Sequence, residues 1–170
     1  MRRFNLRKLV TVITLVLVLV MVNWSIYEKE QLLKNGQVVY LELVPVDPRS
    51  LMQGDYMALR FAVAESIDHA FDYGSESFDG FAKLALDENR VGTFTGFVET
   101  PKYEEGSLTI QFRIRQNTVR IATNAYFFEE GTGPAFEEAK YGQFRVDSSG
   151  ELLLVSLMDE SLVLLDGSEK

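Results

Sequence analysis

The sequence predicts a mainly β protein: a single small barrel or sandwich of about seven to nine strands with short helices, preceded by one N-terminal transmembrane helix. Three observations carry this. Residues 9–27 form one apolar run, residues from Gln37 onward alternate apolar and polar types at period two, and Gly, Pro, Asn and Asp punctuate that alternation at short intervals. With 170 residues and 46% hydrophobic content, the part outside the apolar run suffices for one domain with a real core.

Leu9 through Val22 is an unbroken stretch of 14 Leu, Val, Ile, Met and Thr residues, followed by Asn23, Trp24, Ser25, Ile26 and Tyr27. As a helix rising about 1.5 Å per residue, residues 9–27 come close to the roughly 30 Å hydrocarbon thickness, with Trp24 and Tyr27 at the interface. Arg2, Arg3, Arg7 and Lys8 precede it, and no acid occurs before Glu28. The positive-inside rule then predicts residues 1–8 as a cytoplasmic basic tail and residues 9–27 as a signal anchor that leaves the rest of the chain outside. Met21 to Tyr27 lacks the small-residue pattern of a signal-peptide cleavage site, and a chain without Cys has no thiol to acylate. Good helix formers from Ile26 to Asn35 predict a helical linker over residues 28–36, with Gly36 as its cap. Residues 37–170 are the expected extracytoplasmic β-domain.

Val39, Leu41 and Leu43 share one face of a first strand, Gln37–Val44, and Val38, Tyr40, Glu42 and Val44 the other. A second strand follows a corner: Asp55, Met57, Leu59 and Phe61 on one face, Tyr56, Ala58 and Arg60 on the other. Ala64–Phe71 reads as a short helix and Gly74–Gly80 as a loop. Phe81–Leu86 and Arg90–Glu99 flank Asp87-Glu88-Asn89 as a hairpin. Leu108–Arg115, with Leu108, Ile110, Phe112 and Ile114 inward, and Val119–Phe128 flank Gln116-Asn117-Thr118 as another. Gly131-Thr132-Gly133-Pro134 then breaks the sheet before a short helix, Ala135–Lys140, with Glu137 and Glu138 in its first turn. Gln143–Val146 and Glu151–Leu157 make a third hairpin around Asp147 and Gly150, and Met158–Leu165 adds an edge strand. Tyr126-Phe127-Phe128, with Phe94, Phe97 and Phe112, is rich enough in aromatics to feed a core. Core is the leading reading of these residues; yet period two sets Phe127 against its neighbours, so an outward aromatic patch serving as a docking site is the alternative.

Two prolines and a glycine bracket the corner between the first two strands. Gly54 suits a bulge or a positive backbone angle, and Asp55 stands at the strand start, placed to accept backbone N–H groups or to pair with Arg49. Through Gly54-Asp55-Tyr56, Leu59 and Phe61 this corner resembles the signature of the bacterial GDYXXLXY family of uncharacterised membrane-anchored proteins, with Phe61 in place of the final Tyr. Asp47-Pro48-Arg49-Ser50-Leu51 is similar to the family's lead-in, and Thr123–Gly131 with Lys140-Tyr141-Gly142 to a second region. The resemblance covers roughly residues 38 to 165. It implies an extracytoplasmic domain on one anchor, working beside polytopic membrane proteins, and no known activity.

Composition excludes several chemistries. Without Cys there is no disulfide, thiolate nucleophile or Cys-based metal site. His69, in Ser66-Ile67-Asp68-His69, is the single imidazole and lacks a second ligand at metal spacing, so it reads as a surface residue. The carboxylate pairs Glu129 with Glu130, Glu137 with Glu138, and Asp47 with Asp55 stand in no EF-hand ladder. Gly131-x-Gly133 is followed by Pro rather than by a phosphate-binding Lys. No cofactor is expected. Four of the 17 Lys and Arg residues precede Leu9 and all 25 acids follow it, so residues 28–170 carry 13 basic groups and a net charge of −12. That charge repels phosphate backbones, so nucleic acid is not an expected partner, and the acidic surface serves solubility.

The leading expectation is an interaction module rather than an enzyme, single-pass in the bacterial cytoplasmic (inner) membrane, touching the bilayer through residues 9–27. A membrane-protein partner would meet a surface built from Asp47, Pro48, Arg49, Gly54, Asp55, Tyr56, Leu59, Arg60 and Phe61. The plainer alternative is that Gly54 and Asp55 only shape a β corner and Tyr56 packs over it. Two further alternatives remain open. An envelope hydrolase loosely resembling type I signal peptidases would need a Ser activated by a buried Lys, for which Ser50 and Lys83 are the nearest residues, although the Ser-Met of those enzymes is absent. A small-ligand binder would need an apolar cavity in a barrel mouth.

Overall fold

The computed structural model describes residues 6–44, 56–71, 77–101, 106–129 and 131–166. It divides into two units, Met1–Asn35 and Gly36–Lys170. The first is α1 (Leu6–Asn35), a helix of 30 residues and therefore about 45 Å long. Its side chains from Leu9 to Tyr27 are exposed on every side of the helix, and its length and apolar character fit a single-pass membrane anchor. Two polar side chains near its C-terminal end are satisfied within the helix. Asn23 donates to the Leu19 carbonyl at 2.8 Å, and the Trp24 indole N–H reaches the Glu28 carboxylate at 2.9 Å. Gly36 ends the helix without the left-handed backbone expected of a cap; its carbonyl instead accepts from the Arg145 guanidinium at 2.9 Å.

The second unit is mainly strand. In chain order it contains β1 (Gln37–Glu42) and β2 (Tyr56–Ala58), the helix α2 (Ala62–Ala70), then β3 (Ser77–Leu86), β4 (Gly92–Val98), β5 (Ser107–Arg115), β6 (Thr118–Arg120), β7 (Ala125–Phe127), β8 (Tyr141–Val146) and β9 (Leu152–Met158). Three antiparallel groups form among the described residues: β1-β8-β9, β2-β7 and β4-β3-β5-β6. β1 touches the β4 side through a parallel bridge from Tyr40 to Val91, with the Tyr40 N–H donating to the Arg90 carbonyl at 3.0 Å. No closed barrel results among the described residues, which settles the barrel-or-sandwich expectation in favour of open, packed sheets.

The core follows the alternation. Val39, Leu41, Leu84, Ile110, Ile114 and Phe144 are all fully buried, and Val63 and Ile67, one helical turn apart on α2, close over them. The N-cap position of α2 is Phe61, which makes no side-chain cap hydrogen bond; its ring is spent on the core instead, edge-on to Phe144 at 5.2 Å. Polar groups inside the three-stranded sheet are paired across it: the buried Ser156 hydroxyl donates to Gln143 at 2.9 Å, and the Gln143 amide donates to the Tyr40 hydroxyl at 3.1 Å.

Several boundaries differ from expectation, each for a local reason. The loop expected over Gly74–Gly80 gives way to strand from Ser77, because β3 extends to pair Ser77 with Arg115. Gln116 and Asn117 have φ of 52° and 56°, and Arg115 pairs with Thr118, so the hairpin is a two-residue loop of the mirror-image type whose twist suits the strands. The single strand expected over Val119–Phe128 is two: Ala122 takes a φ of 47°, the chain turns away from β5, and β7 pairs with β2 instead. The helix expected over Ala135–Lys140 is a 3-10 turn at Gly133–Phe136, so Glu137 and Glu138 follow it rather than occupying a first turn. The edge strand expected over Met158–Leu165 is absent: β9 ends at Met158. The Asp159 carboxylate accepts from the backbone N–H groups of Ser161 and Val163 at 2.8 Å each, folding a turn that leaves one bridge, Met158 to Leu164.

A bulge also overrides period two in β4. Lys83 pairs with Gly96 and Leu84 with Phe94, leaving Thr95 as the extra residue, so Phe94 and Phe97 fall on one face with their rings 5.2 Å apart. Of the aromatics expected in the core, Phe112 is buried, Phe94 half-buried and Phe97 exposed at the rim.

Candidate functional site

The residues singled out in the sequence fall into two places. Asp47, Pro48, Arg49, Gly54 and Asp55 lie outside the described residues, as does Ser50. Tyr56, Leu59, Arg60 and Phe61 are on or just after β2. Met57, Leu59 and Phe61 point inward and are buried, while Tyr56 and Arg60 are exposed, as alternation requires. The backbone of this stretch is held on both sides. The Val44 N–H donates to the Arg60 carbonyl at 2.9 Å and the Leu59 N–H to the Asn124 carbonyl at 2.8 Å, while Leu43 bridges Phe61.

The second region noticed in the sequence supplies the partner strand. Tyr56 pairs with Phe127, Met57 with Tyr126 and Ala58 with Ala125. Thr123 prepares β7 locally, its hydroxyl both donating to the Ala125 carbonyl at 2.9 Å and accepting from the Ala125 N–H at 3.2 Å. Tyr126 and Phe128 turn inward onto Phe136, at centroid distances of 5.3 and 5.4 Å. Phe127 is left outward, 75% exposed, with its ring 5.8 Å from that of Tyr56. Gly142, in the same region, leaves room for the signature's last residue: a Cβ there would stand 3.1 Å from the Phe61 ring and 3.0 Å from that of Phe144. Beside the ribbon lies a cleft of about 180 Å³, floored by Leu43 and Met57 and rimmed by Arg60, Glu137 and Lys140.

A family model described as GDYXXLXY protein matches residues 18–157. The chain belongs to the GDYXXLXY family. The match begins within the anchor helix, earlier than the resemblance from residue 38 had reached, and ends before the final turn. No curated protein and no solved structure matches this chain.

In this GDYXXLXY protein the signature is half core and half surface. Leu59 and Phe61 are packing residues. Tyr56 lies on the outer face of the ribbon, shares that surface with Phe127 and is 40% exposed; the corner it was expected to pack over lies outside the described residues. The sequence singled out Tyr126-Phe127-Phe128 as a source of outward aromatics; the pairing with Tyr56 was beyond it, because a three-residue ribbon between distant segments leaves no periodic trace. His69 sits exposed in the last turn of α2, and Lys83 is half-buried on β3. Among the described residues no three His, Asp or Glu side chains converge as a metal site.

Burial, and secondarily the negative charge of Asp166, push the Tyr126 phenol above its ordinary value of 10.0. The folded state therefore holds this proton more tightly than the unfolded chain. Its contribution to stability is present below pH 10.0 and is lost as pH rises through the higher folded value. Ultraviolet titration of phenolate, read as the difference between wild type and Tyr126→Phe, is expected to show this late-titrating group. Asp166→Asn should lower its midpoint only part of the way toward the ordinary value, because burial is the larger cause; a complete return would refute that ranking.

Proposed function

We propose that this protein is a membrane-anchored interaction module whose contact surface is the β2-β7 ribbon, and that its partner is another protein of the same membrane. The observation that carries this is the exposed Tyr56–Phe127 ring pair on a two-stranded ribbon whose first strand runs on into backbone contacts with Leu43 and Val44. Aromatic pairs fixed on a rigid element lose little side-chain entropy on binding and are the usual anchors of protein interfaces. The anchor supports a membrane-resident partner, since a tethered domain meets proteins of its own bilayer at high effective concentration. The clustering of Arg2, Arg3, Arg7 and Lys8 before the helix supports a cytoplasmic N-terminus in the bacterial inner membrane, with the β-domain outside.

The test is a photo-crosslinking amino acid at position 127, with the same group at Thr93 on the exposed face of β4 as control, irradiated in intact membranes and followed by mass spectrometry. One membrane protein is expected from position 127 alone, and Tyr56→Ser should abolish its capture while the domain stays folded. Capture of the same proteins from both positions, or none from 127, would refute the reading.

A further inference from the structure

The sheets stop short of a barrel, and where they stop they leave a second, chemically different cleft. Among the described residues, β5 is tied to the β8–β9 turn by Gln111: its N–H donates to the Gly150 carbonyl at 2.7 Å and its side-chain amide to the Ser149 carbonyl at 3.0 Å. Past that point the seam opens into a cleft of about 450 Å³ between β5–β6, the turn toward β7, and the start of β9, a volume typical of small-molecule sites.

Three arginines line it: Arg113, Arg115 and Arg120. Arg113 and Arg115 are two residues apart on one face of β5, and Arg120 stands directly opposite Arg113 on β6. Directly paired residues share a face and lie close enough to interact, so two cations in that register repel each other unless an anion sits between them. Arg115 is already occupied, pairing with Asp79 at 2.7 Å and donating to the Phe78 and Ile114 carbonyls at 3.2 and 2.8 Å. Arg113 and Arg120 have no carboxylate partner among the described residues, and Glu151 is the one acid in the lining. Asp79 stands directly opposite Arg113 on β3 but its carboxylate is taken by Arg115, so in a domain of net charge −12 Arg113 and Arg120 face each other without an ion pair among the described residues.

We propose that this cleft binds a small oxyanion, a phosphate- or carboxylate-bearing molecule held between Arg113 and Arg120. Guanidinium groups match such anions with parallel N–H donors. The acidic remainder of the domain opposes long polyanions and so favours a compact ligand whose charge fits between the two arginines. The left-handed turn at Ala122 carries Thr123 and Asn124 to the opposite wall, and the Asn124 carbonyl is tied to the Leu59 N–H of the signature strand at 2.8 Å. That tie gives the signature a part in shaping the cleft, independent of the ribbon's exposed rings.

Calorimetric titration of the full chain in phosphatidylcholine nanodiscs, with inorganic phosphate and with citrate, tests this. At least one of the two is expected to bind saturably. Arg113→Gln combined with Arg120→Gln should weaken that binding by about tenfold or more, whereas Arg90→Gln, an exposed arginine in the β3–β4 turn, should leave it unchanged. Repeating the titration with part of the lipid replaced by phosphatidylglycerol separates the sources: suppressed binding assigns the cleft to a lipid headgroup, and unchanged binding to a soluble anion. In anion-free buffer Arg120→Gln should keep or raise the unfolding midpoint, because it relieves the repulsion. No saturable binding of either anion in either bilayer, or an equal loss in Arg90→Gln, overturns the proposal.

Discussion

Phe144→Ala is expected to destabilise the β-domain by about 3–5 kcal/mol, a large share of the roughly 5–15 kcal/mol that holds a domain folded. Phe144 is completely buried in β8, the middle strand of its sheet, opposite Val39 on β1 and Leu154 on β9. Hydrogen-bonded strands on both sides keep the backbone from collapsing into the vacated space, so the cavity term adds to the lost transfer energy. The Phe61 ring, edge-on to Phe144 at 5.2 Å, loses its partner as well, which extends the damage to the signature strand. Chemical unfolding of the full chain in detergent, followed by β-sheet circular dichroism, measures the effect. Phe127→Ala is the control: it deletes the same ring from a site 75% exposed and should change stability by less than about 0.5 kcal/mol. A loss below about 1 kcal/mol at Phe144 would show that the sheet repacks, contrary to the packing described.

Gly150→Val is expected to cost about 2–4 kcal/mol, through two additive causes. Gly150 has a φ of +83°, and a Cβ there would stand 3.2 Å from the Thr109 carbonyl oxygen and 3.3 Å from the Gln111 nitrogen. A β-branched residue is strained at that φ, and the crowding falls on backbone atoms, which cannot rotate away. It would also push apart the contact from the Gln111 N–H to the Gly150 carbonyl, 2.7 Å long, that ties β5 to the β8–β9 turn. Comparing Gly150→Ala with Gly106→Ala separates the causes. Gly106 shares the positive φ, at +79°, but has open space where the Cβ would go. Gly106→Ala should therefore report conformational strain alone, about 1–2 kcal/mol, and Gly150→Ala should exceed it. Equal losses would remove the crowding argument.

The turns were the most legible part of the β-domain. Asp87 and Asp147 stand at the hairpins where they were expected, each accepting backbone N–H groups of residues two and four further on, at 2.7–2.9 Å. Asp159 works in the same way but was read as part of a strand, because the apolar residues around it, Leu157, Met158, Leu162 and Val163, masked the turn. The inward faces of β1 and β5 were equally plain, since alternation is a local property, although Thr109 on the opposite face of β5 is buried as well. Alternation misled where a bulge added a residue, as at Thr95, or where one residue took an unusual backbone angle, as at Ala122.

Of the two candidate sites, one was half visible. Period two set Tyr56 on the face opposite Leu59 and Phe61, and Phe127 opposite Tyr126 and Phe128, but 71 positions separate the two in the chain, and nothing local says that β2 pairs with β7. The arginine cleft left no trace at all. Arg113 and Arg115 merely alternate with the inward residues of β5, Arg120 lies beyond the turn, and the acidic average of the domain concealed them. The sequence by itself determined the apolar helix, the mainly β character, the hairpin turns and the family, because each rests on residue type at short range: continuous apolarity, period two, Asx chemistry and a compact signature. Only the tertiary structure decided that the sheets stay open, that the signature strand takes β7 as its neighbour, and that two arginines face one another across β5 and β6. Those outcomes depend on register and on contacts between distant segments, and side-chain order along the chain constrains neither until the strands have paired.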